Sequence, residues 1–158
     1  MVPDAFLQGL TKIYTRIKDK SINWAVTGSL NMALQGMPVT IHDIDLQTDK
    51  DGAYNIARAM AESVVTPVYY RMSDRIRSHY GALNVDGIQV EIMGDIQKLM
   101  EDQAWEEPVR IDLYRKWVSI AGMRIPVLSL DYEYQAYRLM GRREKVELLK
   151  AWLNKVES

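Results

Sequence analysis

The two runs Val26-Thr27-Gly28-Ser29 and His42-Asp43-Ile44-Asp45-Leu46 decide the fold. The second run alternates polar and apolar residues, which is the period of a strand. Residues two apart on a strand point to the same face, so Asp43 and Asp45 are expected to project side by side. Carboxylates that close repel each other, and a divalent cation removes the repulsion by taking both as ligands. In most proteins a bare Asp-x-Asp is only a solvated strand face, so the surrounding sequence has to decide between the two interpretations.

The turn upstream of the acidic pair is suited to binding phosphate. Gly28 and Ser29 stand between the apolar run 22–27, which predicts a strand, and the apolar segment 30–34, which predicts a short helix. Backbone N–H groups at the start of a helix bind anions, Gly28 permits close approach, and the Ser29 hydroxyl can add a hydrogen bond. Such a turn can also need these residues for its local geometry alone. A phosphate site beside paired carboxylates indicates metal-assisted phosphoryl or nucleotidyl transfer.

Together these residues resemble the signature of the DNA-polymerase-β-like nucleotidyltransferase superfamily, in which Gly-Ser is followed, after a spacer, by Asp-hydrophobic-Asp-hydrophobic. That signature has a third carboxylate on a later strand, and Glu91 in the run Ile88–Met93 takes this place, with Glu where many members have Asp. The run 28–36, with the acidic pair, is similar to small members such as the lincosamide nucleotidyltransferases and the abortive-infection toxin-like group. The resemblance covers about residues 20–95.

The resemblance implies an α+β fold with a mixed central sheet flanked by helices and a helical C-terminal segment. It implies that Asp43, Asp45 and Glu91 bind Mg²⁺ or Mn²⁺, and that Gly28 and Ser29 hold the outer phosphates of an NTP, with ATP the first candidate. The reaction would be transfer of NMP to a hydroxyl group with release of pyrophosphate.

Two C-terminal arginines are candidates for the same phosphates. Arg138 and Arg142 are four residues apart and are expected on one helix face. In the superfamily a base from a C-terminal helix often reaches the triphosphate. The competing interpretation is a solvated helix face with no role in binding.

The composition limits the possible chemistry. The 158 residues predict one globular domain over 1–158, with the motifs in its core at about 20–95 and helices at about 129–157. There is no cysteine and there are two histidines, so a metal must be held by oxygen ligands. A net charge of −1 does not support general nucleic-acid binding. No run is long and apolar enough for a membrane span and no secretory signal precedes the first helix, so a cytoplasmic protein is expected.

The remaining periodicity predicts mixed strands and helices followed by helices. Asp86-Gly87 and Ala121-Gly122 are expected to turn two hairpins, Asp49 and Ser129 to cap helices, and Gly141 to interrupt the C-terminal helix. Helices are expected over 4–19, 30–34, 49–63 and from 130 onward, strands over 22–27, 41–46, 64–72, 79–85, 88–93, 110–120 and 123–128, and a short helix or a loop over 95–107.

Two functions of different classes remain open from the sequence. The first is an active nucleotidyltransferase whose hydroxyl acceptor is a small molecule, an RNA or a protein. The second is a binding module with little or no catalysis, such as one partner of a toxin–antitoxin pair. The presence of all three carboxylates favours the enzyme. Acceptor pockets are built from loops and C-terminal segments, and nothing in those segments here identifies the acceptor.

Overall fold

The computed structural model describes residues 2–157, with no description of the Glu157 side chain. Seven strands within this range form one mixed sheet, flanked by helices. The strands are β1 (Trp24–Thr27), β2 (Ile44–Thr48), β3 (Val64–Met72), β4 (Ile76–Val85), β5 (Ile88–Lys98), β6 (Arg115–Ile120) and β7 (Met123–Leu128). The α-helices are α1 (Asp4–Ile17), α2 (Gly28–Leu34), α3 (Lys50–Ala59), α4 (Leu130–Leu139) and α5 (Arg143–Glu157). The predicted α+β architecture is confirmed.

The sheet brings the three motif-bearing strands together. Its order is β3-β4-β5-β2-β1-β7-β6, so β2 lies between β1 and β5. β2 runs antiparallel to β1 and parallel to β5, and β1 runs parallel to β7. A parallel pair needs a crossover, and α3 with the β3–β4 hairpin supplies it between β2 and β5.

Alternation along β2 divides its side chains between the core and the site. Ile44 and Leu46 are fully buried in the main hydrophobic cluster with Leu10 of α1 and Ile56 of α3. Asp45 therefore points away from this cluster. A second cluster joins α2 to the C-terminal helices through buried Met32, Met37, Leu130 and Leu149.

Side-chain caps set the starts of two helices. The Asp49 carboxylate accepts a hydrogen bond from the Gly52 N–H at 2.7 Å, and α3 begins at the next residue after Asp49. The Ser129 hydroxyl accepts one from the Tyr132 N–H at 3.2 Å at the start of α4. Both caps were predicted from the sequence.

Several predicted boundaries are wrong, and the neighbouring strands explain why. β2 begins at Ile44 rather than 41, because its partner β1 turns into α2 just past the Thr27–Asp45 pair. β6 begins at Arg115, opposite the last residue of β7, and a 3-10 turn, Ile111–Leu113, precedes it. The helix expected over 49–63 ends at Ala59 and is followed by a separate 3-10 turn, Ala61–Ser63.

The segment 95–107 begins as strand, whereas a short helix or a loop was expected. β5 continues to Lys98, and a single bridge joins Leu99 to Trp105 beyond it. Between two successive β4–β5 pairs, β5 contains one residue more than β4, and Asp95 has a positive φ of 50° there. This bulge reverses the side-chain alternation, so Lys98 faces the same cleft as Glu91.

Gly94 should be needed where α3 crosses β5. A Cβ there would lie 2.5 Å from the Asp49 carbonyl oxygen and 3.0 Å from the Ala53 Cβ. We expect Gly94→Ala to lower the free energy of unfolding by about 1–3 kcal/mol, as overpacking does, in denaturant titrations. The control is Gly9→Ala in α1, whose new Cβ would lie 3.4 Å from the Ile44 Cδ1 and 3.8 Å from the Cβ and Cγ1 of Ile88. It should be neutral or stabilising by up to about 1 kcal/mol. Equal losses in both variants would contradict this account.

Candidate active site

Three carboxylates converge at the junction of β1, β2 and β5. One oxygen from each of Asp43, Asp45 and Glu91 lies within 4.8 Å of the others. The cause is the strand register, because Asp45 pairs with Thr27 on one side and with Glu91 on the other. Asp43 lies just before the first residue of β2 and still reaches the same point.

The surroundings of Asp43 and Asp45 disfavour the charged forms of these two side chains. Burial, followed by the charges of Asp43, Glu91 and Glu133, raises the pKa of Asp45 from 3.8 to about 8. Burial, followed by the charge of Glu91, also raises the pKa of Asp43. The folded chain therefore concentrates negative charge where it is poorly solvated.

The donor set fits a hard divalent cation. Asp45 Oδ1 is buried and has no hydrogen-bond partner within the described part of the chain. A buried acceptor without a partner is costly and calls for a ligand. Carboxylate oxygens without nitrogen or sulfur donors suit Mg²⁺ or Mn²⁺, and the cation's charge would oppose the repulsion that raises the pKa of Asp45.

Gly28 permits the close approach of Asp45 to the turn. Its φ is +73°, and a Cβ at this position would lie 2.5 Å from Asp45 Oδ2. Any side chain here would displace the carboxylate and would also strain the backbone. The glycine is therefore required for the position of Asp45, apart from any contact with phosphate.

Glu133 of α4 is a fourth carboxylate at this junction, and the sequence reasoning missed it. It is 2% exposed, it accepts a hydrogen bond from the Gly28 N–H at 2.8 Å, and it accepts another from the Thr27 hydroxyl. Burial raises its pKa to about 7. The Gly28 N–H that was expected to hold phosphate is thus engaged within the protein. Only its helical spacing of three residues from the apolar Leu130 and Ala136, which places it on their face, could have suggested a buried role.

Ser29 links the turn to the segment that carries the acids. Its side chain is buried, and its Oγ accepts a hydrogen bond from the His42 N–H at 3.1 Å. A hydroxyl that accepts one bond still has a proton to donate. The expected contact of Ser29 with phosphate therefore stays a prediction.

A cleft of about 180 Å³ opens beside the carboxylates, and α4 forms one of its walls. Asp45, Glu91 and Glu133 line its acidic end, and Lys98 lines it through the β5 bulge. The Lys98 side chain is only 3% exposed, and its ammonium group forms an ion pair with Glu106 at 2.7 Å. Lys98 was not singled out from the sequence, because simple alternation does not reveal a bulge.

The two candidate arginines are not on one helix face. α4 ends at Leu139 and Gly141 has a φ of +70°, so Arg142 lies beyond the helix that carries Arg138. Arg142 lines the cleft with Asp45 and Glu91. Arg138 lines a separate depression and donates a hydrogen bond to Gln135. The prediction of a shared helix face was wrong because the helix ends between the two arginines, where Gly141 adopts the left-handed conformation.

The fold and this site define a class, the nucleotidyltransferases. Residues 9–150 match the family model described as aminoglycoside-2''-adenylyltransferase, and the chain belongs to that family. No curated protein sequence matches it. Within residues 2–157, no helix is both long and apolar enough to cross a bilayer.

Solved structures agree with the family assignment. The crystal structure of TM1012 from Thermotoga maritima, described as a candidate nucleotidyltransferase, has a TM-score of 0.87 and 54% identity over 98% of this chain and 96% of that one. Lincosamide antibiotic adenylyltransferase LnuA, with bound lincomycin, has a TM-score of 0.60 and 13% identity over 94% of this chain and 97% of that one. ANT(2'')-Ia with adenylyl-2''-tobramycin has a TM-score of 0.58 and 14% identity over 96% and 93%. At these low identities, the two adenylyltransferases show the shared fold alone.

Asp45→Asn should stabilise the metal-free protein at alkaline pH. The folded pKa of Asp45, about 8, exceeds the ordinary 3.8, so the native state binds more protons between these values and wild-type stability falls as pH rises. In EDTA the variant should match wild type near pH 4 and exceed it by about 1–3 kcal/mol at pH 8–9 in denaturant titrations. Mg²⁺ should then stabilise wild type by about 2.7 kcal/mol at a hundredfold excess over its dissociation constant, and the variant much less.

The control for this comparison is Asp19→Asn, which removes an exposed carboxylate after α1. It should show neither the alkaline gain nor the loss of metal response. Wild type and Asp45→Asn unfolding alike at every pH, with and without metal, would remove the cation site.

Glu133→Gln and Glu133→Ala should behave differently. The glutamine amide oxygen can accept from the Gly28 N–H while its NH₂ donates to the Thr27 hydroxyl, which can reverse its own bond. In thermal unfolding experiments, we expect the free energy of unfolding of Glu133→Gln to lie within about 1 kcal/mol of that of wild type. Glu133→Ala leaves a buried donor unpaired and a cavity, and should lose about 2–4 kcal/mol. Similar stabilities for the two variants would show that Glu133 does not anchor α4 through these bonds.

Proposed function

We propose that this protein transfers the nucleotidyl group of an NTP, with ATP the first candidate, to a hydroxyl group of an acceptor, with the help of Mg²⁺ or Mn²⁺. The observation that carries the proposal is the convergence of Asp43, Asp45 and Glu91 to within 4.8 Å beside an open cleft. ATP is preferred over other nucleotides because the family is one of adenylyltransferases.

The proposed reaction is a displacement at the α-phosphorus. The acceptor oxygen forms a bond to that phosphorus, the bond from the phosphorus to the bridging oxygen of the β-phosphate breaks, and pyrophosphate leaves. The acceptor proton must pass to a base. Glu91 is the proposed base, because its half-buried carboxylate faces the cleft and is held in place by the Tyr80 hydroxyl, which donates to it at 2.8 Å.

Asp43, Asp45 and Glu91 are the residues proposed to hold the metal. When bound there, the ion would supply charge stabilisation for the phosphates and would make the acceptor hydroxyl more acidic. The positive charge would also oppose the effect of the neighbouring carboxylates, which together with burial raise the pKa of Asp45 to about 8.

The outer phosphates are proposed to lie near the α2 turn. Ser29 keeps a hydroxyl proton to donate, and Arg142 projects into the cleft from the α4–α5 junction. Gly28 would contribute through its lack of a side chain, since its N–H bonds to Glu133. Arg138, in its separate depression, would contribute to phosphate binding only if the C-terminal segment moved.

The structural neighbours support a hydroxyl acceptor of small size. LnuA is an antibiotic adenylyltransferase solved with lincomycin, and ANT(2'')-Ia was solved with adenylyl-2''-tobramycin. Both bound molecules are small, and the cleft beside the acids of this chain is open to solvent.

Glu91→Gln should slow transfer strongly while the fold persists. With α-labelled ATP, Mg²⁺ and extract of the source organism, wild type should label one class of molecule, and the variant should be slower by about 10²–10⁴-fold, the usual contribution of a positioned base. The other labelled NTPs identify the nucleotide preference, and EDTA should stop the reaction. Glu62→Gln, at a carboxylate that pairs with Arg16 on the surface, is the matched control and should be as fast as wild type.

If wild type labels nothing with any NTP and either metal, the catalytic proposal fails. The binding-module hypothesis would then be the one to pursue.

A further inference from the structure

A second cavity, of about 360 Å³, adjoins the acids on the side away from Gly28. Its floor consists of side chains from the same face of β3, β4 and β5, among them Arg71, Ser78, Tyr80 and Glu91. Glu91 and Arg142 line both this cavity and the cleft beside Asp45. The volume is in the range of about 300–1,000 Å³ that small-molecule pockets have.

The strand order gives the two cavities different positions relative to the reaction. From one side of the site to the other, the strands run β1, β2, β5, β4 and β3. They carry in turn Gly28 at the end of β1, then Asp45, Glu91, Tyr80 and Arg71. With strands about 4.8 Å apart, the Gly28 turn and β4 are separated by roughly 14 Å. Phosphates near Gly28 therefore leave the second cavity free, with Glu91 between the two.

One side chain of this cavity has an available hydroxyl. Ser78 is 5% exposed as a residue and lines the cavity, and its side chain makes no hydrogen bond to another residue within 2–157. The hydroxyl is open to the cavity, so it has a proton to donate to a polar atom of a bound molecule.

The charged groups of the cavity are mainly cationic. The Arg71 guanidinium lies 4.4 Å from the centre of the Tyr80 ring, and Arg142 lies 5.8 Å from that of Tyr137. Neither arginine forms an ion pair with a carboxylate in the described part of the chain. The one acidic side chain of the lining is Glu91, which the metal site also uses. Aromatic rings hold the guanidinium groups in place without neutralising them.

We propose that this second cavity is the acceptor subsite, and that it takes a small hydroxyl compound bearing a phosphate ester or a carboxylate rather than a polycation. The proposal rests on the proposed function and adds the substrate class to it. Arg71 would bind the anionic group, the Ser78 hydroxyl would donate to it or to a neighbouring oxygen, and the acceptor hydroxyl would lie toward Glu91.

The charge of the cavity separates this chain from an enzyme that modifies aminoglycosides. An aminoglycoside such as tobramycin carries several ammonium groups, and these would have to lie beside the guanidinium group of Arg71, because Arg142 is the arginine assigned to the phosphates. Like charges at such distances are repulsive, and the carboxylates that could offset them are those assigned to the metal. The family name alone therefore does not define the acceptor of this member.

The test uses matched probes on the intact chain. Protein labelled with ¹⁵N is first saturated with Mg²⁺ and a non-hydrolysable methylene analogue of ATP, and is then titrated at low ionic strength with glycerol, glycerate, glycerol 3-phosphate or tobramycin. Glycerate, glycerol 3-phosphate or both should shift the amide signals of Ser78 and Tyr80. The anion that binds more tightly shows whether the cavity prefers a carboxylate or a phosphate. Glycerol and tobramycin should leave these signals unchanged.

Arg71→Gln should weaken binding of the anion about ten-fold, the scale of one hydrogen bond between charged groups, and should leave affinity for the ATP analogue within about two-fold. Arg124→Gln is the control, because it removes an exposed arginine that stacks on Trp117 in the β6–β7 hairpin, far from the site. It should change neither affinity.

The outcomes distinguish a failure of the acceptor inference from a failure of the proposed nucleotidyltransferase function. If the ATP analogue and Mg²⁺ do not bind to wild type, the proposed function fails before any probe is added. If they bind and neither anion shifts Ser78 or Tyr80, or tobramycin shifts them instead, the acceptor inference alone is overturned. It is also overturned if Arg71→Gln weakens the ATP analogue as much as the anion, because the arginine then belongs to the triphosphate.

Discussion

Repulsion among four carboxylates is the constraint on which the rest of the site depends. Asp43, Asp45 and Glu91 meet within 4.8 Å, and the charge of Glu133 adds to theirs at Asp45. Such a group is tolerated only where the surrounding structure holds it in place or a cation binds to it. The hydrophobic cluster beneath β2 and the pairing of β2 with both β1 and β5 supply the rigidity. The cost in stability is consistent with a site built for a ligand rather than for the fold alone.

Glu133 couples the C-terminal helices to this site. Through the Thr27 hydroxyl and the Gly28 N–H it anchors α4 at the point where β1 becomes α2. α4 then forms a wall of the cleft and leads to Gly141, where the left-handed turn directs Arg142 toward the acids. The buried contact of Glu133 with the β1–α2 junction thus helps to determine the position of Arg142. The Gly28 N–H was expected to bind a phosphate, but it donates to Glu133 and so helps to hold the site together.

The two cavities on either side of Glu91 correspond to the proposed separate sites for the nucleotide and the acceptor. The cavity near β1 contains Asp45 and Glu133 beside the α2 turn, whereas the cavity near β3 contains Arg71 and Ser78, and Arg142 lines both. A transfer reaction needs its donor and its acceptor on opposite sides of the reacting phosphorus, in line with the bond that breaks. The order of the strands places the two cavities on opposite sides of Glu91.

The sequence by itself determined the class of fold, the hairpins, two helix caps and the acidic constellation, because these depend on local periodicity, turn chemistry and a short motif. Asp43 and Asp45 could be paired from a spacing of two, and Glu91 was added through the resemblance to the nucleotidyltransferase signature. Three features were decided only by the tertiary structure. The Gly28 N–H donates to Glu133, and a bulge in β5 turns Lys98 toward the cleft. Arg138 and Arg142 lie in different depressions. Each of these depends on contacts between residues far apart in the chain, or on one backbone conformation between them. Local patterns carry no information about such contacts, because they arise only when the sheet and the C-terminal helices pack together.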